Sequence, residues 1–361
     1  MRALIITPDY PPKSGGIQIL SRRLAEGLES FDVRVVTLGS SRGRFRSKGG
    51  PAVTRVGGSS LPQAAKIALL NAAALGSAVR YRPDVVLCMH IVAAPSAASL
   101  RRLLGVPFVL YFHAREVVAR PRLAHWAARS AARVVVVSRH TRRLAEDLGV
   151  EPRKLRLITP GVDLADRRQP RSRKPLVVTV SRLVSRYKGH DVLARAMTEA
   201  RQQIPDAEWV VIGDGPLRPY VEQLVAGPEL QGAARLLGSV PDVERDAWLD
   251  RAHVFALPSR VPPDGVGGEG FGIVYLEAAA HELPVVAANE GGALDAVIDG
   301  ETGVLVDPTD ERAVANALVG LLSDAQRRDR LGKQAARRAQ EFAWPRIAQE
   351  VEGVLVEAVG R

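Results

Sequence analysis

The chain has 361 residues, of which 46% are apolar and 5% are aromatic. This length predicts two domains of about 170–180 residues, each large enough to bury its own core. The single cysteine, Cys88, lies in an apolar run, and it excludes a disulfide framework and a cysteine-based zinc site. No apolar run reaches about 18 residues and residues 1–7 lack the layout of a signal peptide, so we expect a cytoplasmic protein.

The net charge of +11 is unevenly distributed along the chain. Residues 1–167 carry 27 Lys and Arg against 11 Asp and Glu, whereas residues 168–361 carry 23 against 28. This excess fits the solvated surface of an arginine-rich protein, or a face that meets lipid headgroups, a phosphorylated acceptor or nucleic acid. The arginines are not interleaved with aromatic residues, which argues against nucleic acid.

The first half of the chain alternates predicted strands with predicted helices. Its Val and Ile runs are nearly continuous, as is typical of strands covered on both faces in a parallel sheet. The predicted strands are Arg2–Thr7, Val33–Leu38, Ala52–Val56, Val85–Met89, Phe108–Tyr111, Val134–Val137 and Leu155–Ile158. The predicted helices include Ile17–Leu28, Pro62–Val79 and Arg142–Leu148.

A charged segment without apolar residues, Asp166–Pro175, predicts a linker. Strands are predicted again at Leu176–Val180, Trp209–Ile212, His253–Leu257, Pro284–Ala287 and Val304–Val306, before a last amphipathic helix at Trp344–Val359. We therefore predict an α/β protein of two tandem Rossmann-like domains that face a cleft. The domains are residues 1–167 and 168–343, with residues 344–361 packed back onto the first.

Ligands of such sheets bind beyond the carboxyl ends of the strands. The segment Pro258–Glu277 joins a predicted strand to a helix that begins near Ile273, through a loop rich in glycine and proline. Glycines let a ligand approach the backbone, and the free N–H groups of a helix start favour anions and oxygen-rich groups. The carboxylates of Glu269 and Glu277 would then hold hydroxyl groups of one ligand. Taken singly, a helix cap for Glu269 and a solvated helix face for Glu277 are the more ordinary explanations.

Two cations, Arg182 and Lys188, follow the predicted strand Leu176–Val180 and flank a short loop. Surface charges are the ordinary explanation. Two cations at the end of a strand are also suited to two phosphates, since charge-assisted hydrogen bonds contribute roughly 1.5–3 kcal/mol each.

Weaker signals follow two strands of the first half. The segment Pro11–Gly16 is neither a P-loop nor G-x-G-x-x-G, but Gly16 and its neighbour precede a helix and can present amides to a phosphate or a sugar. His113 follows the strand Phe108–Tyr111, in the sequence YFHARE. A lone histidine is usually structural, and its place at a strand end favours a functional role.

Metal-binding motifs are missing from the sequence, because neither D-x-D nor H-E-x-x-H occurs. We expect no metal cofactor. A pyrophosphate leaving group would then be stabilised by protein cations and helix dipoles.

In their order and spacing, these features resemble the family-four retaining glycosyltransferases of the GT-B fold over nearly the whole chain. The matching segments are PPKSGG, YFH, ITPGVD, SRLVSRYKG, VIGDGP, GSVPD and EGFGIVYLE, with Gly291–Gly292 and the Trp344 helix after them. The resemblance implies retention of the anomeric configuration by front-face attack, in which the leaving phosphate helps to deprotonate the acceptor.

The resemblance also implies a role for each candidate residue. Arg182 and Lys188 would bind the diphosphate, and Glu277 would bind the ribose hydroxyls. His113 would lie near the reacting side of the sugar. The remaining implied contacts are Gly16 near the phosphates, Glu269 with the amides of Gly270, Phe271, Gly272 and Ile273 around the donor sugar, and Gly238, Ser239 and Val240 at the base.

Departures from the family pattern include His281, where a Cys or Gly is common, and the longer loop Arg260–Gly268. Long loops of this kind look most like the mannosyltransferases of phosphatidylinositol mannoside assembly. With the basic first half, this suggests a GDP-mannose donor, with a UDP-sugar next, and an acceptor hydroxyl on an anionic lipid or phosphorylated glycan. Peripheral contact with the inner face of a membrane would follow.

Two other functions stay open at this level. One is a nucleotide-sugar-binding or nucleic-acid-associated protein without transferase activity. The other is a phosphorylase or epimerase of the same fold, although no sequence feature calls for inorganic phosphate or pyridoxal phosphate.

Overall fold

The structure is a computed structural model that describes residues 1–12, 15–39, 43–46, 50–58, 60–165, 169–263, 265 and 268–360, with the backbone alone at 43–46. The chain divides into two compact units, Met1–Gly161 with Trp344–Arg361, and Val162–Ala343. The domain boundary predicted at residue 167 lies outside the described residues. None of the helices formed by the described residues is long and apolar enough to cross a bilayer.

The first unit is built on a sheet of eight described strands in the order β3-β4-β2-β1-β5-β6-β7-β8. All neighbouring strands are parallel except β3 and β4. The strands are β1 Arg2–Thr7, β2 Asp32–Leu38, β3 Gly43–Arg46, β4 Ala52–Val56, β5 Val85–Cys88, β6 Phe108–Phe112, β7 Arg133–Val136 and β8 Leu155–Leu157. The short polar strand β3 was not predicted, because GRFR carries no buried apolar run.

In the described part of the first unit, six helices lie between these strands along the chain. They are α1 Gly16–Gly27, α2 Gln63–Tyr81, α3 Ala94–Leu104, α4 Arg115–Ala119, α5 Pro121–Ser130 and α6 Arg139–Asp147. Helix α6 begins three residues before its predicted start, because the Ser138 hydroxyl accepts the Thr141 N–H at 3.0 Å and caps it. Cys88 is fully buried in the core of this sheet, as predicted.

The second unit has a sheet of six described strands, all parallel, in the order β11-β10-β9-β12-β13-β14. The strands are β9 Leu176–Val180, β10 Glu208–Ile212, β11 Ala234–Gly238, β12 Val254–Leu257, β13 Val285–Ala288 and β14 Gly303–Val306. Its helices are α7 His190–Gln203, α8 Arg218–Val225, α9 Asp242–Arg251, α10 Ile273–Ala280, α11 Ala293–Ala296, α12 Glu311–Ser323 and α13 Ala325–Gln340. The predicted α/β class with two tandem Rossmann-like sheets is confirmed, although β11 was missed.

The last helix, α14, spans Trp344–Val359 and belongs to the first unit. Its Glu357 carboxylate accepts hydrogen bonds from Arg133 (2.7 and 3.1 Å) and from Arg156 (2.9 and 3.0 Å). Arg133 is only 3% exposed. The hydrogen bonds from Arg133, followed by those from Arg156, lower the pKa of Glu357 to about 2. An ion-pair network thus joins α14 to β7 and β8.

We expect this network to make stability depend on pH in the acid range. A carboxyl group whose pKa is lowered by folding stabilises the protein above its unfolded pKa, and this stabilisation is lost as the pH falls through the folded pKa. Between about pH 5 and pH 2, the wild type should therefore lose more free energy of unfolding than Glu357→Gln. Urea unfolding across this range measures the difference, with the exposed Glu350→Gln of the same helix as control. Parallel curves for Glu357→Gln and the wild type would contradict it.

Candidate active site

The candidate site of the second unit lies between the neighbouring strands β9 and β12. From β9 the sheet continues to β10 and β11 on one side, and from β12 it continues to β13 and β14 on the other. At such a switch point the segments that follow the two strands diverge and leave a crevice for a ligand. Arg182 and Lys188 lie in the segment after β9, and Glu269 lies in the segment after β12. The topology therefore places three predicted residues at the edge of the sheet where ligands bind.

Gly189 allows the two segments to touch. It has φ +75°, and a Cβ atom there would lie 2.2 Å from the Pro258 carbonyl oxygen. No other residue fits this approach, since a side chain would have to displace backbone. The turn that ends at Lys188 is thereby pressed against the loop that carries Glu269.

Lys188 and Glu269 form an ion pair in which the ammonium donates to the carboxylate. Their side chains are 9% and 17% exposed. Burial by itself would lower the pKa of Lys188, but the charge of Glu269, the hydrogen bond to Glu269 and the nearby Tyr187 together raise that pKa above its ordinary value. Lys188 is therefore a charged ammonium at neutral pH, held in a nearly dry position.

Arg182 is exposed, and its positive charge acts on Lys188. No acidic residue in the described part of the chain forms an ion pair with it. The neighbouring His190 bonds the Ser181 hydroxyl at 2.9 Å, and burial, followed by the charge of Lys188, lowers the pKa of His190 to about 4. His190 is therefore uncharged at neutral pH, and the positive charge here comes from Arg182 and Lys188.

The loop after β12 is fixed at its start by contacts that the sequence did not suggest. Arg260 donates its backbone N–H to the Tyr187 carbonyl (2.8 Å) and its guanidinium to Asp191 (2.9 Å). The next N–H, of Val261, is accepted by Glu290 at 2.7 Å. Residues 264, 266 and 267 of this loop lie outside the described residues. Its start is nevertheless bound to the turn that carries Lys188.

The segment from Gly270 to Gly272 leads into α10, which begins at Ile273 as predicted. Gly272 has φ +91°, and a Cβ atom there would lie 2.3 Å from the Tyr275 ring. Phe271 is buried, with its ring 5.9 Å from that of Phe342. No described side chain caps α10. Its first N–H groups thus remain available to an anion or a hydroxyl group.

Glu277 lies inside α10 and does not face open solvent, so the ordinary explanation of a solvated helix face is wrong. Its side chain is 19% exposed, and its carboxylate lies 3.9 Å from the Arg245 guanidinium. Burial raises the pKa of Glu277. The positive charge of Arg245 acts to lower that pKa, and the negative charge of the nearby Asp246 raises it further. Arg245 was missed, because nothing in its helix distinguishes it from a surface arginine.

The predicted base-binding residues end β11. Gly238 adopts φ +77°, and its carbonyl accepts the Gly213 N–H at 2.8 Å. Ser239, which is exposed, and Val240, which is partly exposed, follow it before α9. Backbone groups thus line this strand end beside the end of β10.

The other two predicted residues, Gly16 and His113, belong to the first unit. Gly16 is exposed at the start of α1, and the preceding Lys13 and Ser14 lie outside the described residues. His113 Nε2 lies 2.8 Å from the Met89 carbonyl, and its ring stacks on Tyr111 at 5.8 Å. Because a carbonyl oxygen only accepts hydrogen bonds, Nε2 carries the proton, and Nδ1 is the acceptor of the neutral ring.

Three polar residues that the sequence analysis did not single out lie at the same edge of the first sheet as His113. The Glu116 carboxylate accepts the His113 backbone N–H at 2.5 Å, and Asp9 accepts a hydrogen bond from Gln18 at 2.9 Å. His90 follows β5, and burial lowers its pKa, against the charge of Glu116. Only the ordering of the sheet brings these distant segments together. No group of three or more His, Cys, Asp or Glu suited to a metal ion occurs within the described ranges.

Comparison with known families accounts for this arrangement. Residues 163–338 match the family Glycosyl transferases group 1, and residues 14–166 match Glycosyltransferase Family 4. A GDP-mannose-dependent alpha-(1-6)-phosphatidylinositol monomannoside mannosyltransferase of Mycobacterium tuberculosis is 31% identical over 98% of both chains. The chain belongs to glycosyltransferase family 4. It is therefore a glycosyltransferase that uses a nucleotide-sugar donor, which sets aside the binding protein without transferase activity.

Other relatives of this glycosyltransferase support the assignment. The corresponding mannosyltransferase of Mycolicibacterium smegmatis is 39% identical over 55% of both chains. A D-inositol 3-phosphate glycosyltransferase of Corynebacterium aurimucosum is 32% identical over 63% of this chain and 56% of the relative.

Two solved structures share the GT-B fold. They are a sucrose-phosphate synthase from Thermosynechococcus elongatus (TM-score 0.86, 24% identity, 98% of both chains) and Anabaena HepE in complex with UDP and glucose (TM-score 0.80, 22% identity, 99% of both chains).

Proposed function

We propose that this glycosyltransferase transfers mannose from GDP-mannose to a hydroxyl group, with retention of configuration and without a metal ion. The proposed acceptor is an anionic lipid or a phosphorylated glycan. One observation carries the proposal: the charged, nearly buried Lys188 paired with Glu269 at the switch point of the second sheet.

In the proposed reaction, the bond between the sugar C1 and the diphosphate oxygen breaks, and the acceptor oxygen bonds C1 on the same face. The acceptor proton passes to an oxygen of the leaving phosphate. Negative charge grows on the diphosphate as the bond breaks, and fixed cations stabilise such charge most where water is scarce. Lys188 and Arg182 would supply these cations in place of Mg²⁺.

Glu269 would accept hydrogen bonds from hydroxyl groups of the donor sugar, while Lys188 turns its ammonium to the phosphate. The free amides from Gly270 to Ile273 would add donors at the start of α10. Glu277 would bind the ribose hydroxyls. The backbone from Gly238 to Val240 would read the base.

On the acceptor side, Gly16 would approach the phosphates with its amide at the start of α1. His113 would present Nδ1 towards the reacting side of the sugar, since its Nε2–H is held by the Met89 carbonyl. The backbone at Ala114, with φ +86°, supports a functional role for this turn, because strained conformations of non-glycine residues cluster at active sites.

The base and the sugar are proposed from the mannosyltransferase relatives, whose names specify GDP-mannose. A UDP-sugar is the second candidate. The first half of the chain, with its excess of Lys and Arg, favours an anionic acceptor and peripheral contact with the inner face of a membrane.

A donor panel tests the proposed function. With GDP-mannose at a hundred times its dissociation constant, we expect about 2.7 kcal/mol of added stability in thermal shift. UDP- and ADP-sugars at the same concentration should raise the melting temperature of the protein less. In excess EDTA, GDP-mannose should still yield a mannoside with the α configuration by NMR. A larger thermal shift with a UDP-sugar than with GDP-mannose would make the UDP-sugar the proposed donor. Loss of turnover in EDTA would contradict metal independence. A product with the β configuration would contradict retention.

A further inference from the structure

Two helices of the first unit end side by side on an exposed surface. The Arg101 guanidinium donates to the carbonyl of Ser130, the last residue of α5. Arg101 itself lies in the last turn of α3. The carboxyl ends of α3 and α5 are therefore neighbours.

The end of α3 exposes two apolar side chains. Leu103 is 75% exposed and Leu104 is 56% exposed, and they follow the exposed Arg101 and Arg102. Large apolar side chains at this exposure leave more than half of their surface in contact with water, which is unfavourable unless a partner covers them.

Helix α5, whose carboxyl end adjoins that of α3, carries a stripe of basic and aromatic side chains. Arg122, Trp126 and Arg129 stand at i, i+4 and i+7, so they share one helix face. Trp126 is 44% exposed, whereas Ala124 and Ala127 on the other face are buried. The α3–α5 patch is defined by seven residues: Arg101, Arg102, Leu103, Leu104, Arg122, Trp126 and Arg129.

The patch carries an excess of positive charge. Between residues 94 and 130 the one acidic residue is Glu116, which is buried and accepts the His113 N–H. Arg102, Arg122 and Arg129 form no ion pair with the acidic residues that the structure describes. The acidic residue that lines a surface pocket with Arg129 is Glu151, whose carboxylate pairs with Arg153 and is also acted on by the charge of Arg129.

We infer that the α3–α5 patch docks on a bilayer that contains anionic phospholipids. Trp126, Leu103 and Leu104 would enter the headgroup region. There the apolar part of an indole ring contacts acyl chains, while its N–H donates a hydrogen bond to a polar group. The arginines would pair with lipid phosphates. The inference rests on the proposed function, which includes peripheral membrane contact, and it names the surface that makes this contact.

A bilayer fits the patch better than a nucleic acid does. Single strands are bound by several aromatic rings along a basic groove. The patch has one aromatic ring, and two leucines that gain nothing from a phosphate backbone. An acidic protein surface remains an outcome of the test.

The test uses the full chain and vesicles of phosphatidylcholine with or without 30% phosphatidylglycerol, in cosedimentation at low salt. We expect recovery with the anionic vesicles alone. One arginine near an anionic surface is worth about fivefold in partitioning, so Arg122→Ala/Arg129→Ala should weaken binding about 25-fold. The matched control, Lys333→Ala/Arg337→Ala, removes two exposed cations from α13 of the second unit and should change binding less than twofold.

Fluorescence identifies the face that binds. Brominated anionic lipids should quench the wild type and leave Trp126→Phe unquenched. Trp209 and Trp344 are buried, and the partly exposed Trp248 belongs to the second unit, with Arg235 and Arg251 over its ring. Equal recovery with neutral vesicles would overturn the inference, as would equal losses in the control variant or quenching that survives Trp126→Phe. Binding of single-stranded DNA or of an acidic protein, without vesicle binding, would also overturn it.

The donor panel separates this inference from the proposed function. The patch variants should keep the GDP-mannose thermal shift, since they lie in the first unit and outside the proposed donor site. Vesicle binding without a thermal shift by any nucleotide sugar would contradict the proposed donor and leave the docking surface in place. A donor shift without vesicle binding would overturn the docking surface and the proposed membrane contact, and it would leave the proposed donor in place.

Discussion

Replacing Lys188 with alanine is expected to lower the rate of sugar transfer about 10²–10³-fold, the usual effect of removing one preorganised donor from a site where negative charge develops. The charge of Lys188 is nearly buried, so bulk water would not replace it well. The loss should appear mainly in kcat, because the diphosphate charge that Lys188 is proposed to stabilise grows in the transition state. Steady-state kinetics with GDP-mannose measure the split between kcat and KM.

The substitution also leaves Glu269 without its partner, in a position that is 17% exposed. A buried carboxylate without a cation is destabilising, so part of the loss could come from misfolding. Two comparisons separate the effects. Thermal unfolding reports folding directly, and Lys188→Met/Glu269→Gln removes both charges while it keeps the volume. If the double variant regains stability and stays inactive, the charge of Lys188 acts on the reaction.

The control is Lys333→Ala, which removes an exposed lysine from α13 and should leave kcat unchanged. Transfer by Lys188→Ala at the wild-type rate would remove Lys188 from the proposed catalytic residues.

The largest effect on stability is expected from Arg171→Ala. Arg171 lies in the segment that was predicted as a linker, but its guanidinium ties together the ends of two helices. It donates to the carbonyls of Asp250 (3.0 Å) and Ala252 (2.7 Å) at the end of α9, and of His281 (3.2 Å) and Glu282 (2.9 Å) after α10. The last turn of a helix does not supply N–H donors to its own final carbonyls, and the Arg171 guanidinium supplies donors here.

Hydrogen bonds from a charged donor contribute roughly 1.5–3 kcal/mol each, and the losses at one side chain are not additive. We therefore expect Arg171→Ala to cost about 3 kcal/mol, which corresponds to a fall in Tm of about 6–12 °C. Differential scanning calorimetry measures it. Arg173→Ala is the matched control, since Arg173 is exposed two residues away and should cost less than about 0.5 kcal/mol. Equal Tm values for the two variants would show that Arg171 does not hold the helices.

His281 shows which contacts of the predicted linker segment the sequence did not reveal. In the sequence it is a departure from the family pattern, and Arg171 is one of several arginines between prolines. In the structure, His281 Nδ1 lies 2.7 Å from Asp250, and Gln169 donates its backbone N–H to the same carboxylate at 3.3 Å. Local composition reports the polarity of a segment, but it does not report which distant carbonyls that segment meets.

Periodicity and spacing were sufficient for the alternation of strands and helices, the restart after the linker and the last helix at Trp344–Val359. These features depend on neighbours in the chain, because burial on both faces selects continuous Val and Ile runs. The short polar strand β3 and the strand β11 were missed for the same reason, since β11, the sequence ARLLG, is only partly buried.

The sequence by itself determined the fold class, the family resemblance and the residue types at the strand ends, because each depends on local order and spacing. Tertiary structure alone decided that Lys188 meets Glu269, that Glu277 lies beside Arg245, and that Arg171 joins α9 to α10. These contacts link residues that are 81, 32 and more than 70 positions apart. The order of strands in the sheet, β9 beside β12, brings such segments together, and a one-dimensional pattern carries no information about that order.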